Sequence, residues 1–306
     1  MKIALRIPLT ACVLAAALAG AAASQAQPAA PETLFTVPGD RIENVYEAKD
    51  GSLYFTSVFS GKVMRLAPGQ KTPTAFFAVH SPQGIVETPT GFVVDYQDRD
   101  PNFAGGDFNM KGLGAHIAIL DRNGRVLRTY DGIDSDAFYN GMALGGPDTL
   151  FVADAGGDRI FKIALSTGKT EVWLDKGQTG ATPGAPNGLK VHNGWVYYAR
   201  GDVYRIKIGA DGKPSGAPEL AAKTGGTDDF DVAAGGTVYA SNRMDVAAVT
   251  PSGEITKAVV GQCQFCTSAR VSPDGRTLYF AGGSVRGVAS MPVVDGFLRK
   301  VALPAK

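Results

Sequence analysis

The sequence predicts an all-β fold: a six-bladed β-propeller with four-stranded blades around a central channel, closed by an N-terminal strand. Three observations lead there. One phrase recurs six times, an oxygen-bearing residue and a short run followed by a turn and an aromatic strand. It reads Glu43-Asn44-Val45 before Leu53-Tyr54-Phe55, Gln83-Gly84-Ile85 before Phe92-Val93-Val94, and Asn140-Gly141-Met142 before Leu150-Phe151-Val152. It continues with Asn187-Gly188-Leu189 before Val196-Tyr197-Tyr198, Asp228-Asp229-Phe230 before Val238-Tyr239-Ala240, and Ser268-Ala269-Arg270 before Leu278-Tyr279-Phe280. The anchors are spaced 40, 57, 47, 41 and 40 residues apart, the period of roughly 40–50 residues at which one blade repeats. Thirty-nine glycines and few long amphipathic periods suit short strands joined by many turns.

Taken in chain order, residues 1–26 have the form of a secretory signal peptide. Lys2 and Arg6 precede an apolar run from Leu9 to Ala23, and Ser24-Gln25-Ala26 is a small-x-small cleavage site. Residues 27–306 then form one propeller domain, destined for the periplasm or the medium. Leu34-Phe35-Thr36-Val37 has no blade of its own, and Phe297 to Val301 has the pattern of a third strand. The two are expected to pair, so that the N-terminal strand covers the outer edge of the last blade. In the third blade the four strands are Gly141 to Leu144, Thr149 to Ala153, Arg159 to Ile163 and Thr170 to Leu174, separated by Gly- and Asp-rich turns. Lys62 to Leu66, His116 to Leu120 and Val203 to Ile206 alternate apolar and polar residues, as half-buried third strands do.

The extra length of the second blade lies in Asp98 to Gly114, which has no strand periodicity and is expected to wall the mouth of the channel. Cys263 and Cys266, the two cysteines beyond the signal segment, are expected to form a local disulfide in an oxidising compartment.

Formal charge is +1, and removing Lys2 and Arg6 leaves the rest near −1, with both signs dispersed. That argues against nucleic acid or an anionic membrane as partner. No stretch after the signal segment approaches the roughly 18 apolar residues of a membrane span.

Equivalent register brings Glu43, Gln83, Asn140, Asn187, Asp228 and Ser268 to one channel, and all six carry side-chain oxygen. Such a ring suits a hard cation. Clustered His or Cys for a dedicated zinc site is absent, as is a G-x-S-x-G serine elbow. Tyr139, with Tyr96, Phe103 and Phe265, is expected in the mouth loops as a substrate wall. His80, just before Pro82-Gln83, is a candidate for substrate contact and proton transfer.

Glu43-Asn44-Val45, the run Ala153 to Ile160 (ADAGGDRI), Pro186-Asn187-Gly188-Leu189 and Asp228-Asp229-Phe230 resemble the gluconolactonase and senescence-marker-protein (regucalcin) family, part of a wider group of six-bladed calcium-dependent lactonases and phosphotriesterases. The resemblance implies a metal-dependent lactonase or ester hydrolase acting on a small-molecule lactone or ester. It implies Glu43, Asn187 and Asp228 as ligands of one divalent ion, Ca²⁺ ahead of Zn²⁺, Mg²⁺ or Mn²⁺. Asn140 would contact the ion or its bound water and substrate, and Asp228 would be the catalytic base. Asp229 stands where the family often has glycine, and the substrate-binding arginine of sugar lactonases has no clear counterpart. Two alternatives stay open: a propeller that binds without turnover, and a strictosidine-synthase-like enzyme that needs no metal.

Overall fold

The computed structural model describes residues 30–100, 110, 112–132, 134–179, 184–286 and 293–304. The signal segment, Phe103 and most of the 98–114 loop lie outside them. Among the described residues twenty-three strands are grouped into six antiparallel sheets, and no described helix is long and apolar enough to cross a membrane.

The inner strands are β2 (Ile42–Glu47), β6 (Pro82–Glu87), β10 (Tyr139–Gly146), β14 (Leu189–His192), β17 (Phe230–Val232) and β21 (Cys266–Val271). Each touches the next, and β21 returns to β2, so the ring closes on itself. Three blades add strands outward in sequence: β2 to β5 (Thr74–Ala78), β6 to β9 (Val126–Asp131), and β10 to β13 (Thr170–Leu174); so does the fifth, β17 to β20 (Ile255–Val259).

The fourth blade is built differently, because β15 (Trp195–Ile208) is a continuous run of 14 strand residues. Straight, it would span about 46 Å. Yet the Ile208 N–H reaches the Gly194 carbonyl at 2.9 Å, and Gly201 has φ of 70°. The run therefore folds back and supplies both middle strands, between β14 and β16 (Pro214–Thr227).

The last blade is ordered β1 (Glu32–Val37), β23 (Gly296–Ala302), β22 (Thr277–Gly282), β21. β1 lies antiparallel on β23 with Thr36 opposite Phe297, which is the closure expected from sequence.

Between blades the facing sheets bury aromatic and branched side chains, for example Tyr54, Phe92 and Leu120 between the first and second, and Phe151, Trp173 and Tyr198 between the third and fourth. Cys263 and Cys266 form a disulfide with Cα atoms 5.3 Å apart, at the entry to β21.

Candidate functional site

Five of the six anchor residues do not sit on regular strand positions, whereas Ser268 pairs with Ala281 in β21. In β2 the ladder breaks between Ile42 and Val45, in β6 between Pro82 and Ile85, and in β10 between Tyr139 and Met142. Glu43, Gln83 and Asn140 occupy those bulges, while Asn187 and Asp228 precede the first paired residues of β14 and β17. A bulge turns a side chain away from the alternation its neighbours obey, and here it faces the channel.

Neighbouring blades come very close at this level. Gly141 N–H donates to the Asn187 carbonyl (3.2 Å) and Gly188 N–H to the Asp228 carbonyl (2.9 Å). A Cβ on Gly141 would lie 2.3 Å from Asn187 O, and one on Gly188 2.6 Å from Asp229 Cα. The Asn-Gly pairs are thus points where two backbones approach, rather than turns.

The structure brings Glu43, Asn140, Asn187 and Asp228 together. Asn140 Nδ2 donates to Glu43 Oε1 (3.3 Å), and Asn187 Nδ2 donates to Asp228 Oδ1 (2.7 Å). Each amide is thereby oriented by a carboxylate. The buried Asn187 Oδ1 is left with no hydrogen-bond partner, while the buried Glu43 Oε2 is met by an ion pair, 3.0 Å from Arg41 Nε.

The channel leaves Asp228 some accessible surface, but the carboxyl lies deep among protein atoms. Burial first, and then the Glu43 charge, push it well above the ordinary carboxylate range, against the pull of Arg41 and the Asn187 amide. Among the described residues no cluster of three or more His, Cys, Asp or Glu side chains could hold a metal. The ring instead offers two carboxylates and two amides. An unpartnered amide oxygen beside two crowded carboxylates fits a hard divalent cation.

Two residues at the ring are absent from the sequence reading. Arg41 is buried, with Nε 3.0 Å from Glu43 Oε2 and Nη2 donating to Gln83 Oε1 (3.3 Å). It places one positive charge against the two negative ones. Asp95, from β7 (Gly91–Gln97), is fully buried behind Gly84, whose N–H donates to Oδ1. Burial holds its carboxyl well above the usual range, and Glu43 adds to the effect.

Other expectations shift. Gln83 and Ser268 are satisfied within the protein, Gln83 by Ser81 and Arg41 and Ser268 by Asp229 (2.8 Å). Asp229 takes Lys190, Asn44 and Ser268, so it is a structural carboxylate. Tyr139 as a substrate wall is corrected: its ring is buried in the core edge-on to Phe161. It flanks the bulge on the paired side, so its side chain points between blades while Asn140 faces the channel. His80 is exposed, with Nδ1 3.3 Å from the Gln97 carbonyl and Nε2 3.8 Å from Asp100, and among the described residues no hydrogen bond or ion pair joins it to the ring.

This architecture matches solved structures across most of its length. The fold is that of the gluconolactonase and regucalcin propellers. A gluconolactonase from Xanthomonas campestris superposes with a TM-score of 0.64 at 12% identity, covering 89% of each chain. A calcium-binding protein, regucalcin, from Agrobacterium tumefaciens gives 0.64 at 13%, covering 89% of this chain and 93% of that one. A luciferin-regenerating enzyme gives 0.64 at 14%, covering 89% and 95%. Virginiamycin B lyase from Staphylococcus aureus gives 0.55 at 15%, covering 86% and 80%. No family model matches the chain, and no curated protein matches it in sequence.

Proposed function

We propose that the protein is an exported, metal-dependent hydrolase of a lactone or related ester, working at the ring of Glu43, Asn140, Asn187 and Asp228. The observation that carries this reading is the buried, unpartnered Asn187 Oδ1 beside two carboxylates, Glu43 and Asp228, that crowd each other. Gluconolactonase and regucalcin neighbours of the same fold support it.

Glu43, Asn187 and Asp228 would hold the ion, calcium ahead of zinc, magnesium or manganese, with Asn140 fixing Glu43 and facing the substrate. When bound, a divalent ion would polarise the substrate carbonyl and offset negative charge on its oxygen. Asp228 is the group to take the proton of the attacking water, since Asn187 ties its Oδ1 and leaves Oδ2 for that task. Asn187 therefore sets the orientation of the base as well as offering an oxygen to the ion. Arg41 balances one of the two ring charges and holds the Glu43 carboxylate in place.

That same ion pair favours one rival, a ligand-binding propeller in which Arg41 supplies the internal counter-charge and no ion is needed. A hydrolysis screen of lactones, aryl esters and phosphotriesters, with chelator-treated and Ca²⁺-reloaded protein, separates the two. Turnover that is lost with the metal and restored by it is expected; none in either state would leave the binding propeller. Export is tested by the N-terminal sequence of the released protein, expected to begin at Gln27.

A further inference from the structure

The channel has a second mouth. The later residues of the inner strands, at the end away from the ring, line a cavity of about 700 Å³, within the roughly 300–1,000 Å³ of small-molecule sites. Its lining mixes apolar side chains, among them Val86, Met142 and Leu144 of the second and third blades, with charged ones, among them Glu87, Lys190, Asp231 and Arg270.

The carboxylates on this side are already engaged. Asp229 takes Lys190 Nζ (2.6 Å), Asn44 (3.1 Å) and Ser268 (2.8 Å). Asp231 accepts the Val232 and Val271 N–H groups, both at 2.9 Å. Asp274 takes the Ser272 hydroxyl and the Arg276 N–H, while Glu87 takes the Lys49 N–H and Arg122. Glu47, nearby, is pushed upward by burial and then by Asp274, toward its neutral form.

Arg270 is the exception. Its Nε is buried without a hydrogen-bond partner, 3.5 Å from Asp231 Oδ2, and its guanidinium lies over the Tyr46 ring at 4.7 Å. No hydrogen bond of its side chain occurs among the described residues. Glu47 Oε2, outside the lining, is buried without a partner, but the carboxylates that line the cavity are engaged and the guanidinium makes no hydrogen bond among the described residues, so the demand inside it is for acceptor oxygens, and a planar fork suits a carboxylate.

We propose that the far mouth is a binding site for a small organic anion, a carboxylate on an apolar body. Arg270 receives the carboxylate, and the wall of Val86, Met142 and Leu144 covers the body. The site is independent of the ring's chemistry and stands if the ring proves inactive.

Titration calorimetry of the full-length protein with 3-phenylpropionate, 3-phenylpropanol and 3-phenylpropylamine tests it, since the three share one body and differ in charge. The acid is expected to bind at one site roughly tenfold or more tighter than the alcohol, the factor of one charge-assisted hydrogen bond or more. Arg270→Met should erase that preference, and Arg270→Lys should keep part of it, having charge without the fork. Leu144→Trp, which fills the cavity from its apolar lining, should block the acid with Arg270 intact. Asp228→Asn, which alters the ring, should leave binding of the acid at the far mouth as it is. The proposal is overturned by no saturable binding of the acid, by equal binding of the alcohol or amine, by unchanged binding in both Arg270 variants, or by loss in Asp228→Asn, which would move the ligand to the ring.

Discussion

Three ionisable side chains that face one another at the ring, Glu43, Asp228 and Arg41, set how strongly it should hold a cation. Glu43→Gln and Asp228→Asn each remove one negative charge, so each should weaken Ca²⁺ binding in calorimetry. With the site refilled at saturating metal, Asp228→Asn should still lose about 10²–10⁴ in rate, because an amide cannot take the proton a base must accept. Wild-type turnover in that filled variant would reduce Asp228 to a ligand. Arg41→Gln acts in the opposite sense. Removing the guanidinium 3.0 Å from Glu43 should tighten Ca²⁺ by about tenfold or more, as expected for a unit charge a few ångströms away in a partly screened site. Unchanged or weaker affinity would mean that Arg41 holds Glu43 in its binding geometry. Asp95 gives a pH signature. Its folded-state carboxyl stays protonated above the pH at which the unfolded chain ionises, so stability is full below about pH 4 and falls as pH rises toward the folded value, by about 1.4 kcal/mol per unit. Asp95→Asn keeps an acceptor for the Gly84 N–H and removes that loss. Urea melts of metal-free protein between pH 4 and 7 should show the variant gaining on wild type as pH rises, and parallel curves would refute the assignment.

At the scale of elements, the inner strands do two tasks: they close the ring and they bulge to present the site. Gly188 shows how tightly these are linked, since its N–H holds the Asp228 carbonyl and a Cβ there would meet Asp229 backbone. Gly188→Ala should cost about 1–3 kcal/mol by overpacking and also lower Ca²⁺ affinity, because the strand it pushes carries Asp228. Gly146→Ala, whose Cβ would meet nothing within 4 Å, is the control and should melt within about 0.5 kcal/mol of wild type. The strands themselves were legible because their turns are punctuated by Gly and Asp, and Lys62–Leu66 and Thr170–Leu174 match expectation residue for residue. The bulges were not, since a period of two carries no mark of where a ladder breaks. This is why Tyr139 was assigned to the mouth beside Asn140. Asp95 was hidden for a related reason: within Phe92-Val93-Val94-Asp95-Tyr96 it reads as the outward polar position of an alternating strand. Arg41 lies before the repeated phrase and has no counterpart in the other five copies, so comparison among repeats could not find it.

For the whole molecule, the decisive feature is that a propeller stores no stability in any one blade; each inner strand is held by the two beside it, and the ring must be fastened once. Here the fastening is β1 on β23. Leu34, Phe35 and Val37 pack on the cluster of Ile42, Phe55 and Leu298, with the Phe35 and Phe55 rings 5.4 Å apart. The same strand covers the edge of β23, whose free N–H and C=O groups would otherwise invite another chain. A protein beginning at Gly39 keeps the inner strands and the ring residues but loses both effects. Three half-buried apolar side chains at roughly 1 kcal/mol each, together with the lost ladder, should lower its melting temperature by several degrees. The exposed β23 edge should make it self-associate in size-exclusion chromatography. Because Glu43 belongs to the first blade and Asn187 and Asp228 to the neighbouring fourth and fifth, Ca²⁺ binding should fasten the truncated ring from inside. Added calcium should therefore raise the melting temperature of the truncated protein more than that of the full chain. If the shift is equal in both, the ion and the N-terminal strand do not act on the same opening of the ring, and the closure runs through β1 alone.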